Sequence, residues 1–248
     1  ALPLTEGFTS DAVCTEIRIQ SIIPQHLLTC SEAIRLALDG IRQVQVDSCW
    51  LDAGNMLEPE WAHCGDAEWA GGTIMNCGYR VRLQATVEDA WQPISRIGGK
   101  TGWYFGNFLW RLRGIMDRLV GGVGLRRGRR HPSEIGVGDV LDFWRVLEIE
   151  APQRLLLVAE MKTPGEALLE FQITPDANGQ VEFQMLSRFL PRGLFGILYW
   201  YALYPFHQWI FNGMLKAIAK SIKRPILHGP ERFTPKLHTT CALPPARK

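Results

Sequence analysis

Between Leu194 and Phe211 run eighteen residues without a formal charge, and the segment then continues as an amphipathic helix to about Lys223. A stretch this apolar must be covered on most of its sides or lie in a lipid boundary, and its uncharged part approaches the length of a membrane span. Tyr199, Tyr201, Tyr204, His207, Gln208 and Pro205 all fall inside it and argue against a span. A buried or interfacial helix fits better. Its second half divides into two faces, with Lys216, Lys220 and Lys223 on one and Leu215, Ile218 and Ile222 on the other. The rest of the chain must therefore offer a broad apolar surface to the first half.

The preceding residues supply it. Tyr79, Val81 and Leu83 alternate with Arg80, Arg82 and Gln84, which predicts a strand within residues 73–88. A short helix is expected at 88–97, stopped by Gly98-Gly99, and a second at 105–119, ended by Gly121-Gly122. Runs at 140–150, 154–162, 166–174 and 181–189 read as four strands, parted by Ala151-Pro152, Pro164-Gly165 and Asp176-Ala-Asn-Gly179. Successive strands at such spacing make an antiparallel meander. One strand, two short helices, a meander and a long terminal helix predict an α+β helix-grip fold. Its curved sheet wraps the last helix, and the space left between them suits an apolar ligand.

Upstream, an extended piece is expected at 12–19 and a turn around Pro24. A helix follows, with Ser31 as N-cap before residues 32–38. Residues 46–71 carry Asp, Gly, Pro and isolated tryptophans without periodicity and read as an irregular linker. Residues 225–248 are rich in proline and basic residues and read as a flexible tail. The chain opens Ala-Leu-Pro without methionine, as a fragment or processed product would.

Composition bounds the function. Charged residues make up 21% and the net charge is +2, which gives no electrostatic case for nucleic acid. Cys14, Cys30, Cys49, Cys64, Cys77 and Cys241 form no CxxC pair, so no metal site is expected. With no secretory signal in view they read as free thiols, which implies a cytoplasmic location.

Several long motifs occur in order: Arg96-Ile-Gly-Gly-Lys-Thr-Gly-Trp-Tyr-Phe-Gly106, Leu109-Trp-Arg-Leu-Arg-Gly114, and Asp117-Arg-Leu-Val-Gly-Gly-Val-Gly-Leu-Arg-Arg-Gly-Arg-Arg130. They continue with Val137-Gly-Asp-Val-Leu-Asp-Phe-Trp-Arg-Val146 and Leu198-Tyr-Trp-Tyr-Ala-Leu-Tyr-Pro-Phe-His207. Over about residues 70–224 this pattern resembles the DUF2867 family. The resemblance implies a START-like, polyketide-cyclase-like (SRPBCC) helix-grip domain, here over 72–224. In that family the domain often follows an NAD(P)-binding Rossmann domain of the atypical short-chain-dehydrogenase kind. Residues 1–45, including Glu32-Ala-Ile-Arg-Leu-Ala-Leu38, look like the end of such a domain. The nucleotide-binding βαβ unit is missing, and Gly122-Val-Gly124 with Gly128 follows a helix rather than a strand. No cofactor is expected in this chain, NAD(P) belonging only to longer relatives.

Candidate ligand-binding residues are Trp103, Trp110, Arg111, Trp144, Arg145, Tyr201, Tyr204 and His207. The aromatics would desolvate a flat ligand, each fully buried large apolar side chain being worth about 1.5–3 kcal/mol. Arg126, Arg127 and Arg129 are candidates for an anion site, in a stretch where Asp117 alone opposes seven arginines. His207 and Glu160 are candidate catalytic residues: the imidazole has a suitable unperturbed pKa, and Glu160 with Arg145, or Asp142 with an arginine, would form an inward pair able to move a proton. The leading expectation is a hydrophobic or aromatic small molecule bound by the substrate-side domain of a short-chain-dehydrogenase-like protein. A cyclase- or lyase-type enzyme, and a membrane-peripheral or protein-docking module bound through the arginines of 111–130, are the alternatives.

Overall fold

The computed structural model describes residues 21–24, 28–43, 74–124, 129, 131–176 and 178–235. The extended piece expected at 12–19, the linker at 46–71 and the chain beyond 235 lie outside them. The chain divides into two units, 1–45 and 46–248.

In the first unit, helix α1 spans Cys30–Gln43. Its N-terminus is closed two residues earlier than expected. Thr29 Oγ1 accepts from Glu32 N at 3.3 Å, and the Glu32 carboxylate accepts from Thr29 N at 2.9 Å. That is a reciprocal capping box, so Thr29 rather than Ser31 is the cap, because only the Thr-x-x-Glu spacing lets both groups reach back.

The second unit holds the grip. Strand β1 (Met75–Leu83) is followed by α2 (Val87–Ile94) and α3 (Asn107–Leu119). Thr86 caps α2 through a hydrogen bond accepted from Asp89 N. Then come β2 (Val140–Leu141), β3 (Trp144–Glu150), β4 (Arg154–Ala159), β5 (Gly165–Pro175) and β6 (Val181–Pro191). Helix α4 spans Gly193–Ser221, and β7 (Ile226–Phe233) ends the described fold. All pairings are antiparallel, in the order β2-β3-β4-β5-β6-β1-β7.

Two expectations change. The run at 140–150 is two strands rather than one, because Asp142 takes a positive φ of 60° and turns the chain back. The expected flexible tail contains β7, which pairs with β1. No side-chain alternation marks that strand, since most of it is exposed, and its partner lies far away in sequence.

The curved sheet has two unlike faces. Along β6 the residues Val181, Phe183, Met185, Ser187 and Phe189 are buried while their neighbours are only half-buried, the period-2 pattern of one packed side. This inner face joins Trp200, Phe211, Met214, Leu215 and Ile218 of α4 in the main core. The helix lies against β1, β6 and β7. The outer face carries a separate small cluster of Leu147, Leu156 and Leu168, bordered by ion pairs from Arg154 and Arg188 to Glu170.

Candidate functional site

At the β3 end of the inner face four aromatic rings meet. Trp103 stacks on Trp110 with centroids 4.9 Å apart and on Phe143 at 6.3 Å, and Trp144 lies 6.2 Å away. The residues come from three places, and one carboxylate ties two of them together. Asp142 Oδ2 accepts from Trp103 Nε1 at 2.9 Å and from Gly99 N at 3.2 Å. Burial pushes the Asp142 carboxyl above its ordinary value, while these hydrogen bonds and the Arg129 charge pull the other way. Trp103 N donates to Asn107 Oδ1 at 2.9 Å, which fixes the loop to the start of α3. Trp144, 5% exposed, has no hydrogen-bond partner for its Nε1 among the described residues.

The helix side supplies a second aromatic group. Trp200 stacks on Phe189 of β6 at 5.7 Å, with Tyr204 at 6.1 Å and His207 edge-on at 5.3 Å. His207 in turn stacks on Phe211 at 5.7 Å. Burial lowers the His207 pKa to about 4, so the ring is neutral at pH 7. Neither His207 Nδ1 nor Tyr204 Oη has a hydrogen-bond partner among the described residues. The Arg232 guanidinium stands 5.4 Å from the Tyr204 ring centroid. Phe105 ties the first group to α4: its carbonyl accepts from Trp110 Nε1 at 3.2 Å, and its ring meets Trp209 at 4.8 Å and fills the space a side chain at Gly213 would need.

The remaining expected site residues lie elsewhere. Tyr201 is 64% exposed. At about 100° per residue it is rotated roughly 120° from His207, too far to share its face. Arg111 is exposed on α3. Arg145 is buried, yet it points away from the helix. Trp144 and Val146 belong to the main core, whereas Arg145 pairs across the sheet with Val158, which packs on the outer cluster. Its Nε donates to Glu160 at 2.5 Å and its Nη1 to Gly138 O at 2.9 Å. The Arg145–Glu160 pair thus forms, but on the outer face, and Glu160 cannot work with His207. Strand alternation is the reason: within β3 the residue after Trp144 must face the other way.

Arg129 is not free to bind an anion. Its guanidinium donates to Ile97 O at 2.8 Å, Ser95 O at 2.5 Å and Glu134 O at 3.0 Å, and its Nε donates to His131 O. Burial brings its pKa down to about 10. It fastens three stretches of backbone. Arg126 and Arg127 lie outside the described residues.

Phe189 and Phe211 complete the second aromatic group and are not among the expected residues. Phe211 was findable, standing one helical turn from His207. Phe189 was findable from the alternation of β6.

Residues 69–214, more than half of the chain, match the model of a family described as a protein of unknown function, DUF2867. The chain belongs to the DUF2867 family. The match takes in the rings of both aromatic groups and ends within α4, before β7. A comparison with curated proteins finds no match. Among solved structures, a conserved protein from Geobacillus kaustophilus aligns at TM-score 0.33 and 16% identity, over 62% of this chain and all of its own. An HSP90 activator from Plasmodium falciparum aligns at TM-score 0.35 and 10% identity, over 62% of this chain and 99% of its own. Norcoclaurine synthase from Thalictrum flavum aligns at TM-score 0.38 and 11% identity, over 69% of this chain and 99% of its own. At these values the likenesses carry no argument about chemistry, which has to come from the DUF2867 domain itself.

What the site of this DUF2867 domain offers is flat apolar surface with a few polar atoms at fixed positions. The neutral imidazole and the tyrosine hydroxyl can each donate or accept one hydrogen bond, and the indole can donate one. No group of three or more His, Cys, Asp or Glu able to hold a metal is found among the described residues.

Proposed function

We propose that the domain binds an apolar or aromatic small molecule between the inner face of the sheet and α4. The flat body would lie against the tryptophans, and a hydroxyl or carbonyl group would meet the polar atoms. The observation that carries this reading is the set of buried polar atoms without partners among the described residues: Trp144 Nε1, Tyr204 Oη and His207 Nδ1. Interiors leave few such atoms, and each one costs about 1–3 kcal/mol. A ligand able to pair with one of them recovers that cost on binding, which gives orientation as well as affinity. We further place the domain on the substrate side of a short-chain-dehydrogenase-like protein. That part is supported by the resemblance of residues 1–45 to the end of such an upstream domain.

Native mass spectrometry of the freshly purified chain, followed by organic extraction, tests the first part. The expected result is a discrete, stoichiometric apolar adduct. Tyr204→Phe deletes one unpartnered atom with little change in shape, and Trp144→Phe deletes another together with part of the ring system packed on Trp103 and Phe143. Ligand occupancy should fall about tenfold for whichever atom the ligand meets; thermal stability without ligand should hold or rise in Tyr204→Phe and fall in Trp144→Phe, which leaves a cavity. An adduct-free mass, with both variants unaffected in a screen of aromatic ligands, would sink the reading.

A further inference from the structure

The described part of residues 46–248 leaves its large apolar side chains exposed in one place. All but Val137, Ile226 and Leu227 of those exposed lie on α3, its C-cap Val120 and α4. On α4 they recur at Leu194, Phe195, Leu198, Tyr201, Phe206 and Trp209, a broad band that covers roughly 140° of the helix at about 100° per residue. Leu119 of α3 is 81% exposed and Phe195 of α4 is 72% exposed. The two exposed faces touch where the Phe108 ring stands 6.5 Å from that of Trp209. Single exposed apolar residues need no explanation; a continuous two-helix face does.

Charge identifies what would cover it. Helix α4 contains no Asp or Glu in 29 residues. Continued by the same turn, its apolar stripe ends in the exposed Lys216 and Lys220. Helix α3 contributes the exposed Arg111 and Arg118. Its one acid, Asp117, is fully buried, with its carboxylate accepting from Gly124 N and Lys162 N. The face is therefore apolar along its length and bordered on these helices by cations alone. A second copy of the chain suits it poorly, since a two-fold contact would bring the same cations together with no acid from either helix to meet them. An anionic lipid surface supplies both complements, acyl chains under the stripe and negative headgroups beside the lysines and arginines. No helix among the described residues is long and apolar enough to cross a membrane.

We infer that α3 and α4 form a docking face for the surface of an anionic bilayer. Full-length protein is mixed with phosphatidylcholine vesicles, with or without phosphatidylserine, and the bound fraction is read by co-sedimentation. Neither vesicle contains a candidate cavity ligand, so the result is independent of the reading above. Binding should be at least tenfold stronger with phosphatidylserine and should weaken as salt is raised. Leu198→Glu should cut it roughly tenfold or more by placing a charge in the stripe. The double change Lys216→Ala with Lys220→Ala should cut it by a similar factor. Both variants alter exposed side chains, and unchanged melting curves would show that they fold. Equal binding to both vesicle types, or none to either, overturns the inference. So does a dimer in lipid-free solution, seen by sedimentation velocity, that Leu198→Glu abolishes without any effect on lipid.

Discussion

His207 lies between the Trp200 and Phe211 rings, and burial holds its pKa at about 4. In the unfolded chain the same ring titrates near 6.5. Between these values the unfolded state binds a proton that the folded state does not. Its contribution to stability is therefore complete above pH 6.5 and is lost as the pH falls towards 4. The size is on the order of 3 kcal/mol. Asp142 acts in the opposite sense, because a carboxyl raised by burial favours the fold at low pH and loses that contribution as pH rises through its folded pKa. Urea midpoints measured from pH 7.5 down to 4.5 should fall for the parent chain and flatten in His207→Leu. A slope unchanged by that substitution would assign it to other groups. That His207 stands among aromatic rings is legible in the sequence, since it is the one imidazole in an aromatic helix. The position of Arg145 is also legible, because alternation from Trp144 turns it to the other face. What no local pattern reveals is that Arg129 spends its charge on carbonyls of 95, 97, 131 and 134, which the fold alone assembles.

At the scale of elements, the start of α4 depends on a close approach. A β-carbon on Gly196 would sit 2.4 Å from Pro164 O and 2.9 Å from Pro191 Cα, both of them backbone atoms. Pro164 O is itself held, accepting from Arg192 N at 2.9 Å. Gly196→Ala in an exposed helix would gain about 1 kcal/mol from propensity. Here the overlap should outweigh that gain and destabilise the chain by about 1–3 kcal/mol, read from denaturant melts. A neutral or stabilising result would mean that the helix can slide off the β4–β5 connection. The meander and α4 are legible from sequence because strand alternation and helical periodicity are local signals. The break between β2 and β3 is not, since Asp142 is followed by Phe143 and not by the glycine that usually completes a two-residue hairpin, and the positive φ at Asp142 falls on a residue held by Trp103 and Gly99. Strand β7 is illegible for a different reason: its order comes from pairing to β1, not from its own composition.

Across the whole molecule, β1 stands between β6 and β7, so the earliest strand is enclosed by the two latest. Met75 pairs with Phe189, and Gly78 with Phe233. A chain stopped after Lys223 would leave β1 as a long edge with unpaired backbone groups. Such a truncation should show a lower melting temperature and concentration-dependent light scattering, whereas an unaltered melt and a monomeric profile would show β7 to be dispensable. The same arrangement sets a timetable. During synthesis β1 emerges more than a hundred residues before either neighbour, and loop-closure entropy must be met before any of its ladder forms. High contact order of this kind makes folding slow and keeps a nascent strand exposed, so the sheet closes only when the last described strand has left the ribosome.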